Sequence, residues 1–300
     1  MGANRIYITG ANGRLGRAVL ALMPHAMPLV RNKSGLKNEI AVDFADATAL
    51  AKTLADASAV IHIAGSVRTY NKAELWKSNY ELTKRIADAA PKNARIVFAG
   101  SISVYGKRLA KKPADENATV QPDSDYARSK YEAERAVSSR ANFVILRIGT
   151  IYGPFEDYRM ILERIKKGKM PVIGDGSNAI PFVHVDDVAA LFPATLKAKP
   201  GVYNVVGEPI TQKEVYAAAA KALGVEPPEK RVSYFLANAS AWLGEKKAML
   251  TGAKPKITCE HVAVLYFDRP FDCGKAKKEL GFSPRKTAEG ITQVAKELSG

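Results

Sequence analysis

A phenol and an ammonium four residues apart, in Tyr126-Ala127-Arg128-Ser129-Lys130, could share one helix face and move a proton to or from a substrate oxygen. A free phenol titrates near pH 10, about three units too high for a base at neutral pH, and a neighbouring cation lowers it. In the reducing direction the phenol needs no such help, because it gives its proton to a nascent alkoxide. The pattern itself is cheap, since Tyr80-Glu81-Leu82-Thr83-Lys84 repeats it. Surroundings separate the two. Tyr126 follows an apolar run at 95–99 that ends in Gly100-Ser101-Ile102-Ser103-Val104-Tyr105-Gly106. There a hydroxyl from Ser101 or Ser103 could meet the phenol over a substrate carbonyl, or either serine could cap a turn or helix.

A second constellation precedes it. The run Thr9-Gly10-Ala11-Asn12-Gly13-Arg14-Leu15-Gly16 joins a strand to a helix. Glycines at 10, 13 and 16 let the backbone turn tightly and approach a diphosphate, whose charge suits the free N–H groups of a helix start. The spacing G-x-x-G-x-x-G differs from the usual dinucleotide fingerprint, G-x-G-x-x-G. A site for NAD(H) places an acid at the end of the second strand. Here that strand runs into Arg31-Asn32-Lys33, with no acid until Glu39. A guanidinium suits a 2′-phosphate and a carboxylate repels it, so the sequence favours NADP(H), with NAD(H) possible. Arg14 adds a second positive charge from the loop.

These residues need rigid supports. Strand-like runs at 5–9, 27–30, 40–42, 59–63, 95–99 and 143–148 alternate with amphipathic stretches at 15–22, 47–55, 74–90 and 126–139. Strands apolar throughout, each followed by a helix, predict an α/β fold with a doubly wound parallel sheet of Rossmann type. After Pro154 the alternation weakens and the segments become mostly helical. The expected division is a dinucleotide-binding domain at 1–150, joined by 181–200, and a smaller substrate lobe at 151–180 and 201–300. Apolar faces at 215–223 and 235–243 read as core of that lobe, with a pocket wall as the alternative. Tyr152, Phe155 and Tyr158 form either an aromatic rim or a staple between lobes.

Composition excludes other classes. The chain has 300 residues, 47% hydrophobic and 25% charged, as globular proteins do. No apolar run reaches the roughly 18 residues of a membrane span. Met1-Gly2-Ala3-Asn4-Arg5 leads straight into a strand, leaving no room for a signal peptide, which predicts a cytoplasmic protein. Cys259 and Cys273 are too few for a disulfide framework or a structural zinc site. The net charge of +15 suits a small polyanion, but the basic pairs are scattered without interleaved aromatics, so nucleic acid is not an expected partner.

The chain resembles the extended short-chain dehydrogenase/reductases, the NAD(P)-dependent epimerase/dehydratase superfamily. The resemblance runs through residues 9–16, Asp43-Phe44, His62-Ile63-Ala64-Gly65, residues 101–106, Tyr126 to Lys130, Leu146-Arg147, Tyr152-Gly153-Pro154, Phe182-Val183-His184-Val185-Asp186-Asp187 and Tyr203-Asn204-Val205. It implies Ser101 as the carbonyl-orienting hydroxyl, Tyr126 as proton donor or acceptor, and Lys130 as ribose ligand and tuner of the phenol. It implies Asp43 at the adenine, with Phe44, Ala99, Ile148 and the Ile63–Gly65 backbone around the cofactor. Asn79 resembles a helix position that supports the site. His184 with Asp186-Asp187 resembles a strand-to-helix cap, and no metal is implied. A homodimer follows from the resemblance alone.

Two departures bear on the reaction. Thr150 stands where sugar-nucleotide epimerases of the family carry a substrate-gripping Asn, and Ile180-Pro181-Phe182 replaces Arg-Asp-Phe. Both resemble the branch containing dihydroflavonol reductases and 3β-hydroxysteroid dehydrogenases. The leading expectation is an NADP(H)-dependent oxidoreductase acting on a ketone or secondary alcohol. A sugar-nucleotide epimerase is the alternative, and a non-catalytic nucleotide-binding scaffold a minor one.

Overall fold

The structure is a computed structural model that describes residues 5–67, 72–253, 255 and 257–299; the Met1–Asn4 start lies outside the described residues. Six strands, β1 (Arg5–Thr9), β2 (Met27–Val30), β3 (Ile40–Ala41), β4 (Ala57–His62), β5 (Arg95–Ser101) and β6 (Phe143–Ile148), join Gly201–Val205 in one parallel sheet. Its order is Gly201–Val205, β6, β5, β4, β1, β2, β3. Both faces are covered, so alternate residues feed two cores. Ile8, Ile61, Val97 and Val144 point to one, with helix α1 (Arg14–Leu22). Tyr7, Val60, Phe98 and Ile145 point to the other, with α2 (Ala47–Leu54). The strand order reverses between β1 and β4, which opens the crevice at their carboxyl ends where such sheets bind ligands.

The single helix expected at 74–90 is broken. It runs as α3 (Lys72–Leu75), a π turn at Trp76–Glu81, and α4 (Leu82–Ala89). The wide turn swings Asn79 inward, where it is 1% exposed and clasps the neighbouring loop.

The division of the chain also shifts. Gly201–Val205, placed with the substrate lobe by the sequence, is an edge strand of the large sheet and pairs with β6. Phe271, Cys273, Ala276, Leu280 and Phe282 return to the first core as well. The second core lies between the helices Glu156–Lys166, Gln212–Leu223 and Thr287–Ser299, and it buries Tyr216, Ala219 and Ala220 as expected. The expected core face at 235–243 is contradicted. Phe235, Leu236, Trp242 and Leu243 are 77%, 61%, 51% and 61% exposed on the helix Tyr234–Thr251, because its inner contacts are made by small residues such as Ala241 and Ala248.

Beneath the crevice a buried ion pair locks the sheet to the helix α5 (Asp125–Ser138). Arg147 of β6 binds both carboxylate oxygens of Glu134 and donates to the Tyr105 hydroxyl at 2.7 Å, which donates to Asn204 Oδ1 at 2.8 Å. Each nitrogen of the guanidinium thus makes a hydrogen bond within the fold. Breaking such a pair from one side is costly because it strands a buried charge.

Candidate active site

The loop after β1 has the shape its glycines require. Gly10 holds φ at +75°, and a Cβ there would lie 2.6 Å from the Ala64 backbone N. A Cβ on Gly16 would overlap the Gly10 carbonyl oxygen. Gly13 precedes α1, its N–H bonded to Gly10 O at 2.9 Å, and no side chain caps the helix. The close approach and the free helix N–H groups fit a dinucleotide diphosphate. Leu15 anchors the helix in the core, while Asn12 turns its side chain to the Ser34 hydroxyl at 3.0 Å.

That contact brings the end of β2 beside the loop. Glu39, the first acid after the strand, is consumed there: its carboxylate accepts from the Ser34 N–H and hydroxyl and from the Gly35 N–H at 2.7–3.0 Å. These bonds hold its pKa below the ordinary carboxylate value. Arg31 stands exposed, with no ion pair among the described residues. Arg14 is not free as expected. It pairs with Asp157 at 2.9 Å and lies 4.4 Å over the Phe155 ring, so it straps the loop to the second lobe. Phe155 is a staple, as is Tyr152, which is 1% exposed against Phe182 and His184.

The remaining cofactor candidates follow the carboxyl ends of β3 and β4 or sit on the π turn. Asp43 is exposed, its carboxylate accepting from Ala45 N at 2.8 Å, whereas Phe44 is buried in the core. Ile63, Ala64 and Gly65 follow β4, and Ile63 N bonds Thr9 O at 3.2 Å. Asn79 clamps this segment from the π turn, accepting from Ser66 N at 2.7 Å and donating to Ser66 O at 3.0 Å. It also donates to Ser129 Oγ at 3.0 Å, so one amide fixes the cofactor loop against α5. His62 joins Thr9 to Thr83 beneath them, and complete burial pushes its pKa down to about 3, which keeps it neutral. The sequence did not single out these two threonines.

Tyr126 and Lys130 lie on α5, whose first turn is capped by Ser124. Ser101 ends β5; its oxygen accepts from Ser103 N at 3.2 Å and also neighbours the Tyr126 phenol. It caps the following turn and stands beside the phenol at once. Ser103 is turned away from any partner, its buried hydroxyl unbonded. The alternative pair is engaged elsewhere: Lys84 pairs with Asp88 at 2.6 Å and Tyr80 meets the Trp76 ring edge to face.

One expectation reverses. Desolvation pushes the Tyr126 phenol up to about 12, with Ser101 offsetting part of the rise and Glu260 adding to it. Lys130 is not among the groups that lower the phenol, and burial pushes the lysine itself down to about 7. Its Nζ donates to Ala99 O at 2.6 Å and sits 4.3 Å over the Phe98 ring, while Ile148, paired with Ser101 across the sheet, is buried in the other core. A Cβ on Gly65 would lie 4.0 Å from this Nζ, so lysine, loop and Asn79 converge. The phenol is an acid held protonated at neutral pH.

On the substrate side, His184 Nδ1 accepts from Asp186 N at 3.2 Å, and Asp187 is bound by Arg285 at 3.0 Å, both of them helix and lobe supports. The arginine missing at position 180 has a neighbour in space: Arg269 N bonds Ala179 O at 3.1 Å. The sequence reading overlooked Arg269, since nothing near it in the chain marks it.

A profile of the NAD dependent epimerase/dehydratase family matches residues 6–206. The chain is 24% identical over 313 aligned residues to an N-acetyl-alpha-D-glucosaminyl-diphospho-ditrans,octacis-undecaprenol 4-epimerase of Escherichia coli O157:H7, covering 97% of this chain and 94% of that one. It is 27% identical over 298 residues to 3beta-hydroxysteroid-dehydrogenase/decarboxylase isoform 1 of Arabidopsis thaliana, covering 89% and 68%. Among solved structures, gox2253 superposes with a TM-score of 0.78 at 26% identity over 99% of this chain and 98% of that one. MoeE5, solved with UDP-glucose and NAD, gives 0.74 at 24% identity over 98% of each and shares the fold. With the doubly wound sheet, the glycine loop and the converging tyrosine and lysine, the match leaves one assignment: the chain is an enzyme of the NAD dependent epimerase/dehydratase family, built for a nicotinamide dinucleotide.

Proposed function

We propose that the protein is an NADP(H)-dependent reductase of a small carbonyl compound, working reversibly on the corresponding secondary alcohol. The observation that carries this reading is the Tyr126 phenol, kept protonated by burial beside Ser101 at the carboxyl edge of the sheet. The cofactor, when bound, supplies hydride. Gly10, Gly13 and Gly16 with the start of α1 would hold its diphosphate, and Arg31 its 2′-phosphate. Lys130 would meet the ribose, while Asp43 and the Ile63–Gly65 backbone line the nucleotide. Ser101 orients the substrate oxygen. Tyr126 donates its proton to that oxygen as negative charge develops there, which saves an unstabilised alkoxide.

A second reading is supported by the near full-length similarity to an epimerase of a diphosphate-linked sugar and by the +15 charge. In that reading hydride leaves and returns within one complex. Mixing the NADPH-loaded protein with a panel of ketones and with sugar nucleotides separates the two. Net oxidation of the bound NADPH, with an alcohol product, is expected; interconversion of sugar nucleotides without net oxidation would replace the reductase with the epimerase.

A further inference from the structure

Arg269 is 3% exposed, its Nε has no hydrogen-bond partner, and none of the described residues pairs with its guanidinium. A buried cation is costly unless an anion meets it. Its backbone is pinned on two sides, by Ala179 O to its own N–H and by the Ala114 N–H to Pro270 O at 3.0 Å. The head group therefore has little freedom to retreat to water. Its charged neighbours are Glu260 and Asp123. Glu260 is also the charged neighbour of the Tyr126 phenol, and Asp123 lines an open cavity of about 320 Å³ with Gly106, Lys107, Arg108, Gln121 and Phe267. We propose that Arg269 receives an oxyanion of the substrate, a carboxylate or a phosphate, while the carbonyl end of the same molecule lies at Tyr126. This rests on the catalytic reading of Tyr126 above, and it makes the substrate an anionic carbonyl compound.

The test needs no turnover. Thermal unfolding is followed on the protein saturated with NADP⁺, which fills the cofactor's own anion sites, while inorganic phosphate or acetate is titrated at constant ionic strength. Wild type is expected to gain several degrees in Tm with one of the two anions, and the anion that acts says which group the substrate carries. Arg269→Met should unfold at a higher temperature than wild type without added anion and should not respond to either. Arg269→Lys, keeping the charge but not the fork, should respond more weakly. Tyr126→Phe should keep the full response, so a failure of the catalytic reading leaves this result standing. A Met variant less stable than wild type, or equal responses in all proteins, would make Arg269 a structural residue and overturn the proposal.

A different observation carries a second inference. Among the described residues nine large apolar side chains are exposed, and six sit on the helix Tyr234–Thr251: Phe235, Leu236, Trp242, Leu243, Met249 and Leu250, between 51% and 89% exposed. They recur as pairs every seven residues, so they form one stripe along the helix. Lys246 lies in that stripe, its Nζ 5.6 Å over the Trp242 ring. The segment 230–256 carries Lys230, Arg231, Lys246, Lys247, Lys254 and Lys256 against Glu245 alone, and Glu245 is turned inward to Cys259 N at 3.1 Å. No described helix is long and apolar enough to cross a membrane. We infer that this helix lies flat on an anionic lipid surface, its apolar stripe among the acyl chains and its lysines at the head groups. A second copy of the chain would instead set like charges against each other.

Cosedimentation with phosphatidylcholine vesicles, with and without phosphatidylglycerol, tests it. The protein should pellet with the anionic vesicles only, and Phe235→Ser/Trp242→Ser/Leu250→Ser should lower that fraction at least tenfold at unchanged Tm. Lys246→Glu/Lys247→Glu should abolish the lipid preference. Failure to pellet with either vesicle, or a dimer in sedimentation equilibrium that the triple variant dissolves, would overturn the proposal.

Discussion

Tyr126→Phe is expected to lower turnover by about 10²–10⁴-fold, the usual contribution of a positioned general acid. The ring keeps its place and only the hydroxyl is lost, so Tm and cofactor affinity should change little. Burial pushes the phenol up to about 12, which makes it a proton donor across the whole neutral range. The rate of reduction in the wild type should therefore show no loss from phenol ionisation below about pH 10. A variant retaining more than about a tenth of wild-type turnover would remove Tyr126 from the chemistry, as general acid–base catalysis would then be absent there. Steady-state rates with NADPH and the best carbonyl found, read beside melting curves, decide it.

Lys130→Met should separate stability from activity. The folded protein holds this lysine near 7, while the unfolded chain holds it near its ordinary value of 10.5. Between those values the unfolded chain binds a proton that the folded chain does not, so wild-type stability rises with pH across this window. Below about pH 7 both states are protonated and the full cost of the buried ammonium is present. The methionine variant should thus gain most at pH 7 and below, about 2–4 kcal/mol once the lost bond to Ala99 O is allowed for. Its advantage should fade as the pH approaches 10.5. Cofactor affinity and turnover should both fall sharply, because the nearest cation to the ribose position is gone. Denaturant melts of the two proteins at pH 6 and pH 9.5 test the sign; an advantage that grows with pH would contradict the buried-ammonium account.

The features legible in the sequence were those whose cause is local. A glycine at 10 or 16 is required by contacts within one turn of chain and one neighbouring strand, and the apolar runs that make the sheet need no distant information. The choice of Tyr126 over Tyr80 followed from the strand end before it, and it agrees with the ion pair of Lys84 to Asp88, whereas Lys130 is bonded to the Ala99 carbonyl. What escaped depends on packing. The phenol and the lysine moved in the opposite sense to a simple cation–phenol pair because burial dominates both shifts, and burial is not a property of a five-residue motif. The stripe on Tyr234–Thr251 reads as a core face until the fold leaves it uncovered. Gly201–Val205 follows Pro200-Gly201 punctuation that suggests a loop, yet it finds the open edge of β6. Arg269 is ordinary in sequence and unusual only as a buried cation without a partner.

The claim on which the rest depends is that the first crevice takes NADP(H), with Arg31 on the 2′-phosphate. Titration of the nucleotide-free protein and of Arg31→Ala with NADPH and NADH, by nicotinamide fluorescence at fixed salt, tests it most directly. Wild type should prefer NADPH by tenfold or more, about 1.4 kcal/mol, and the alanine variant should lose that preference while binding NADH unchanged. Equal affinity of the wild type for the two nucleotides, or an unaltered preference in Arg31→Ala, would contradict it.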